Sequence, residues 1–352
     1  MAQSQESRLG ERRLTNKLSK VLYVGIDVSK KTLDIAITVE GKEIKASKKG
    51  NNNLGGCRLL EQWTRTQCQK HGCERIHYVL ESTGIYSDRV VEYLHQREDL
   101  KISVINPFQA KSWGKSIGVR IKTDKVDSQL LALYAAAIKP EPTAQMNKEL
   151  KALRSLVRYL EYLISLRGQE MGHLESVTNP VVASSIKKTI SSYDKRIKEI
   201  EKAIEDHIKK HPGLKEKTEL LKSTTGIGDI TSKILLCELH LEDGGVRLSA
   251  KAQRAHAGLA PEHRVSGSSV RGKPHISRVG NSRLRRCLYF PAIVAIKHNP
   301  VISEFYNRLR QRGKPKMVAS VAAMRELLVI AVGVLNNQTA FDVNWSTQRK
   351  YA

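Results

Sequence analysis

Aromatic side chains are scarce in this chain, at 5% of its 352 residues. So few rings argue against extensive stacking on unpaired bases. Long apolar runs are missing too. None reaches about 18 residues, which excludes a membrane-spanning helix. The first residues, MAQSQESRLGERRLTNKLSK, hold no apolar stretch, which excludes a secretory signal there. Cysteine is limited to Cys57, Cys68, Cys73, Cys237 and Cys287, an odd set without a CxxC pair. His71 lies between Cys68 and Cys73, but a zinc site would need further ligands. Reduced thiols in a cytoplasmic protein are the simpler expectation. Acids are outnumbered: 35 Asp and Glu face 60 Lys and Arg, a net charge of +25 and a pI near 9.9. A field of that sign attracts polyanions, nucleic acid first among them. A ribosome-like structural protein or a membrane-surface binder would share the charge. With 40% hydrophobic residues the chain can bury real cores, and its length allows two or three domains.

Residues 1–18 are polar and basic, and read as a flexible tail. VLYVGIDV from Val21 reads as an apolar strand and LDIAITV from Leu33 as a second, with SKK between them as a hairpin turn. Lys42 to Ser47 reads as a third, exposed strand. A helix over 53–70, a buried strand IHYVLE from Ile76, a helix from Tyr86 to Gln96, a strand KISVIN from Lys101 and a helix from Asp124 to Ala137 follow. This β-β-β-α-β-α-β-α order suits an RNase H-like mixed sheet over residues 19–145. Residues 146–212 differ in kind. Leu153, Val157, Leu160, Ile164, Met171 and Leu174 form one stripe, and Ile186, Ile190, Tyr193, Ile197, Ile200 and Ile204 another. The spacing predicts two helices with coiled-coil seams, broken near Pro180, paired within the chain or between chains. An intermolecular role is favoured, because a thin hairpin has little core of its own. His211-Pro212-Gly213 punctuates the boundary to a basic, helical region over 213–340, and residues 341–352 form a polar tail.

Two apolar strands end in acids, Asp27 and Glu81. If they run parallel and adjacent, those side chains meet. Asp124 and Asp127 lie three apart, so both project from one face of a helical turn. Such a set matches phosphodiester chemistry with two Mg²⁺ ions, which favour oxygen ligands. The bland alternative makes Asp124 a helix N-cap and Asp127 a first-turn dipole residue. Asp34 and Asp88 are less attractive, each inside a predicted element without a partner.

Further along, STTGIGDITSKILL resembles a helix-hairpin-helix turn, in which Gly226 and Gly228 expose backbone N–H groups to a phosphate. An ordinary glycine-rich helix connection explains the same residues. Between Arg264 and Arg286 stand seven bases and no acid: Arg264, Arg271, Lys273, Arg278, Arg283, Arg285 and Arg286. Interleaved with Gly and Ser, they suit loops that grip a phosphate backbone. Ser266, Ser268 and Ser269 lie in this electropositive stretch, although a loop serine is far more often a turn former.

GIDVSKKTLD at Gly25, VLESTGIY at Val79, KTDKVDSQLLA at Lys122, TTGIGDITS at Thr224 and GLAPEHRVSGSS…ISRVGNSRLRR from Gly258 occur in one order and spacing. Over roughly residues 20–340 the chain thereby resembles the DEDD transposases of bacterial insertion sequences, described as bridge-RNA-guided serine recombinases. The resemblance implies an α/β plus α architecture: a RuvC-like (RNase H fold) domain, a coiled-coil helical hairpin and a mostly helical C-terminal serine transposase domain. It places the family's acids on Asp27, Glu81, Asp124 and Asp127, which would hold Mg²⁺. It places the nucleophile on Ser266, favoured over Ser268 and Ser269 by the following Gly267. It further implies donor and target DNA, a structured non-coding guide RNA, and a homo-oligomer: a dimer, and a tetramer on DNA, with a composite site assembled between protomers. No membrane is implied, and the expected location is the cytoplasm of a prokaryote, at the nucleoid. The competing reading is a RuvC-like endonuclease, such as a junction resolvase, that uses water as nucleophile. An architectural or RNA-binding protein acting through its charge alone is a third.

Overall fold

A computed structural model describes residues 20–82, 85–119, 123–239, 249–262, 265–266, 270–271, 275–276 and 279–343. The chain divides into two compact units, Met1–Gln145 and Met146–Ala352.

The first unit is built on a five-stranded mixed sheet. Its strands are β1 (Val21–Val28), β2 (Thr32–Thr38), β3 (Ala46–Asn51), β4 (Arg75–Glu81) and β5 (Leu100–Ile105), in the order β3-β2-β1-β4-β5. β1 to β3 are antiparallel, while β1, β4 and β5 run parallel. Among the described residues four helices accompany them: α1 (Leu54–Lys70), α2 (Ile85–His95), α3 (Pro107–Ser116) and α4 (Asp124–Ile138). Side chains alternate across a strand, so each strand feeds two cores. Leu22, Val24, Ile26 and Val28 of β1 pack with Leu60 of α1 and Leu94 of α2. Tyr23 and, from β4, Val79 point the other way, against Leu131, Tyr134 and Ala135 of α4.

Gly25 makes that second face unusual. A Cβ there would stand 2.2 Å from the Ser128 carbonyl oxygen and 2.3 Å from the Ala132 nitrogen. The bare strand lets the backbone of α4 lie directly on the sheet. Glu61 secures the opposite layer. This buried carboxylate accepts hydrogen bonds from the Tyr93 hydroxyl at 2.7 Å, Arg65 Nε at 3.0 Å and Arg97 Nε at 3.2 Å. Removing it takes the acceptor from Tyr93 of α2 and from Arg97 just beyond it, which tie that helix to α1, while Arg65 keeps Asp99. Glu61→Ala is expected to destabilise the protein by about 2 kcal/mol, below the range of about 3–5 kcal/mol for a fully buried ion pair because both arginines are partly solvated. Thermal denaturation checks this, with Glu61→Gln retaining most of the stability.

The third strand departs from expectation. Lys42 to Ser47 was the predicted span, whereas β3 covers Ala46–Asn51. It is an exposed edge strand whose sequence, ASKKGN, has almost no apolar residues; its position comes from backbone pairing to β2. The helix α3 was not anticipated. Asn106 caps it through Phe108 N, and Pro107 opens it.

The second unit begins with two long helices, α5 (Lys148–Ser176) and α6 (Pro180–Lys210), separated at Val177–Asn179, with Asn179 capping α6. Then follow α7 (Pro212–Lys222), α8 (Asp229–Glu238), α9 (Ala250–His256), four two-residue strands β6 (Pro261–Glu262), β7 (Val265–Ser266), β8 (Val270–Arg271) and β9 (His275–Ile276), and helices α10 (Ser282–His298), α11 (Pro300–Gln311) and α12 (Lys316–Asn337). The proximal parts of α5 and α6 join the common core: Leu150, Leu153, Val157, Leu160, Leu163, Ile197, Ile204 and Ile208 are buried with residues of α7, α8 and α10 to α12. From residue 164 to 196 no side chain is buried.

α12 corrects the reading of apolar runs. By length and composition it passes as a membrane span, with a mean hydropathy of 2.0 over an 18-residue window, yet 61% of that window is buried inside the unit. Arg325 and Glu326 interrupt the run in the sequence and hide its length. It is the central helix of this core.

Candidate active site and the serine arm

The strand ends bring the first two acids together. β1 pairs in parallel with β4 up to Ile26↔Leu80, so Asp27 and Glu81 are the next residues of adjacent strands. By alternation Asp27 shares a face with Tyr23 and Gly25, and Glu81 shares it with Val79. That is the face on which α4 lies. Ser128, Leu131 and Ala132 of α4 touch Gly25; Asp124 and Asp127 occupy the preceding first turn.

Local chemistry frees Asp124 from a purely structural role. Thr123, not Asp124, is the N-cap of α4: its Oγ1 accepts from Val126 N, and its carbonyl accepts from Asp127 N at 2.8 Å. Asp124 is exposed and Asp127 half-buried. Their fields converge on Asp27. Burial, then the carboxylates of Asp127, Asp124 and Asp34, push the Asp27 carboxyl from 3.8 up to about 6. A backbone hydrogen bond at Val28 opposes this only in part.

Asp34 is the acid that spacing alone undervalued. It lies directly opposite Asp27 across the β1–β2 ladder and opposite Lys49 across β2–β3, with Lys49 Nζ 3.1 Å from its Oδ2. Only the register reveals it.

Among the described residues no three His, Cys, Asp or Glu side chains are gathered closely enough to share a metal ion. The fit of this region to a cation is one of charge and donor type. All its donors are carboxylate oxygens, and Asp127, Asp124 and Asp34 each act unfavourably on ionised Asp27. A hard divalent ion answers both features.

In the serine segment, here called the arm, the described residues form two short ladders. β6 pairs with β9 (Pro261↔Ile276, Glu262↔His275), and β7 with β8 (Val265↔Arg271, Ser266↔Val270). Ser266 thus ends the inner strand, and Arg271 stands on the facing one. Arg264, Ser268, Ser269, Lys273 and Arg278 lie outside the described residues.

The remaining bases have partners within the chain. Arg283 Nη1 pairs with Glu161, and Arg286 Nη2 reaches the same carboxylate at 3.2 Å. Arg285 Nη1 donates to the Ala257 carbonyl at 3.0 Å. Of the three, Arg286 is the most exposed of those paired with Glu161, at 72% of its side chain. Gly226 has a packing reason for being glycine: its φ is +107°, and a Cβ would meet Pro291 O and Ala295 Cβ of α10 at 2.8 Å. Gly228 precedes α8 as its N-cap and borders open space, with Asp229 in the helix's first turn paired to Lys222 and Lys233.

Sequence spacing also missed Glu238. It is 4% exposed, receives Arg158 Nε at 3.0 Å and Asn281 Nδ2 at 2.8 Å, and has Arg154 nearby. Burial would push its carboxyl up; Asn281, Arg158 and Arg154 together hold it below the usual range.

Comparison with known proteins gives a consistent result over most of the chain. Residues 24–179 match a family model described as Transposase, of the DEDD type of IS110, and residues 218–307 match one described as Transposase IS116/IS110/IS902 family. The chain is 30% identical over 325 residues to the pilin gene-inverting proteins of Moraxella bovis and of Moraxella lacunata, covering 91% of this chain and 97% of each relative. It is 27% identical over 165 residues to the insertion element IS110 uncharacterized 43.6 kDa protein of Streptomyces coelicolor, covering 47% of this chain and 39% of that protein.

Proposed function

Because the chain belongs to the IS110/IS116 family of transposases, we propose that this DNA recombinase cuts and rejoins strands through Ser266, with Asp27, Glu81, Asp124 and Asp127 serving the same reaction. The observation that carries this reading is the seating of α4 on Gly25, which sets the acids of its first turn beside a carboxylate held near 6. The first unit is read as RuvC-like, since its order of three antiparallel and two further parallel strands suits an RNase H sheet.

In the proposed reaction the Ser266 hydroxyl loses its proton and its oxygen bonds to the scissile phosphorus. The P–O3′ bond breaks and the departing 3′ oxygen takes a proton, leaving a serine-linked 5′-phosphate. The 3′-hydroxyl of a second strand then attacks that phosphorus, and the serine oxygen leaves with a proton. Mg²⁺, as two ions held by Asp27, Glu81, Asp124 and Asp127, would supply positive charge to the phosphate and acidify the attacking hydroxyl. The basic residues hold DNA and guide-RNA backbones. Arg286 is the best exposed for this among the described arginines of the run, and Arg264, Arg271, Lys273 and Arg278 accompany it; Gly228 offers backbone N–H groups at the start of α8. Pairing between a structured element-encoded RNA and donor and target DNA supplies sequence choice, which suits a protein with many bases and few rings. A homo-oligomer is favoured by the two helices α5 and α6, whose distal parts bury no side chain between residues 164 and 196.

The test is strand cleavage by Ser266→Ala on a plasmid carrying the DNA that flanks the gene, with RNA transcribed from it. The expected result is loss of both the covalent protein–DNA species and strand exchange. Full cleavage by Ser266→Ala, with Asp27→Asn inactive, would instead establish the water-dependent endonuclease.

A further inference from the structure

The residues that flank the Ser266 segment meet at one point. Gly258 and Gly280 lie back to back there: a Cβ on Gly280 would be 2.1 Å from the Gly258 nitrogen. Asn281 N donates to the His256 carbonyl at 2.6 Å, closing the neck. Arg285 holds the adjoining Ala257 carbonyl. The Asn281 side chain then does two jobs. Its Oδ1 accepts from Arg283 N and Leu284 N, starting α10. Its Nδ2 donates to Glu238 Oε2 at 2.8 Å. Glu238 ends α8 and is fixed in turn by Arg158 of α5.

From this we infer that Glu238, acting through Asn281, is a positioning residue that sets the direction in which the arm presents Ser266. The inference rests on the reading of Ser266 as nucleophile. Three features carry it. The carboxylate is buried, at 4% exposure, and its hydrogen-bond donors are Arg158 and Asn281. Its partners sit on α5 and on the neck itself, so from the end of α8 it joins the base of the Ser266 segment to the core. A simple cap would need only Oδ1 of Asn281, and the Nδ2 contact is additional. The arm's strands are only two residues each, so the aim of its end depends on how its base is held. Misplacing a reacting group by about 1 Å costs on the order of 100-fold in rate.

Asn281→Asp separates the two jobs. Aspartate caps a helix as well as asparagine, but it puts a second carboxylate against Glu238. In single-turnover cleavage of the plasmid described above, at saturating protein, Asn281→Asp is expected to slow the step about 10-fold or more while DNA affinity stays within about twofold. The double variant Glu238→Gln/Asn281→Asp restores the contact with donor and acceptor exchanged and is expected to recover most of the rate. A wild-type rate in Asn281→Asp overturns the inference. So does a double variant that recovers nothing, whether or not the single variant folds. Ser266→Ala in the same assay keeps the two ideas apart: its activity would end the serine reading whatever Asn281→Asp does, whereas an inactive Ser266→Ala beside a wild-type Asn281→Asp would end only the positioning role.

Discussion

Asp27→Asn is expected to abolish strand cleavage, by on the order of 10³-fold or more, and at the same time to stabilise the protein when divalent ions are absent. The two effects share one cause. In the wild type, Asp27 is pushed up to about 6 by burial and by Asp127, Asp124 and Asp34. A carboxyl whose folded value lies above its unfolded value of 3.8 binds its proton more tightly in the folded state. Its contribution to stability is therefore fully present below about pH 4 and is lost as the pH rises through about 6. Above that, ionised Asp27 is a cost. At 1.36 kcal/mol per pKa unit, and discounted for solvent access, the cost is about 1–2 kcal/mol. Asparagine cannot ionise and escapes it. Melting temperatures of wild type and Asp27→Asn, measured in chelator from pH 4 to 8, should nearly coincide at the acid end, diverge as the pH rises from about 4 to 6, and stay apart above that, with the variant higher. Adding Mg²⁺ should raise the wild type more than the variant. Curves that stay parallel across the range would show that Asp27 carries no excess repulsion.

Gly25→Ala is expected to damage both fold and activity, although it adds one methyl group and removes no carboxylate or hydroxyl. Its Cβ would meet backbone atoms, Ser128 O at 2.2 Å and Ala132 N at 2.3 Å. Backbone within a helix cannot step aside as a flexible side chain can, so α4 must rise off the sheet. The expected loss is about 3 kcal/mol or more, the upper part of the range for overpacking. Because the first turn of α4 bears Asp124 and Asp127, the protein that remains folded should also cleave more slowly. Gly50 provides the control. It lies on edge strand β3 with nothing within 4 Å of a built Cβ, and Gly50→Ala should change stability by no more than about 0.5 kcal/mol. Thermal melts of the two variants, followed by cleavage rates well below the melting point, separate the packing effect from the loss of acid geometry.

Much of the first unit was legible in the sequence because its strands are short apolar runs that end abruptly. VLYVGIDV and IHYVLE each close on an acid, and that placement depends on nothing beyond local pattern. The site's remaining logic is non-local. Asp34 looked idle on its own strand, and only the β1–β2 register sets it against Asp27. Gly25 reads as part of a motif, but its reason, the backbone of α4, is about 100 residues away. β3 escaped placement since an edge strand of Lys, Gly and Asn has no apolar signature. In the second unit the basic run from Arg264 to Arg286 suggested one use for all its members, whereas Arg283 and Arg286 are engaged by Glu161, more than 120 residues earlier in the chain. Glu238 and Asn281, 43 residues apart, have no spacing that announces them. α3 is the exception, since Asn106-Pro107 is a readable helix start.

The most direct test of the central idea is to identify the atom that DNA joins. Wild-type protein is quenched during cleavage of the plasmid carrying the gene's flanking DNA, digested with protease and nuclease, and the modified peptide sequenced by mass spectrometry. The expected result is a nucleotide 5′-phosphate on Ser266, absent from the same digest of Asp27→Asn. Cleavage without any modified peptide, or a phosphate mapped to another residue, would contradict it.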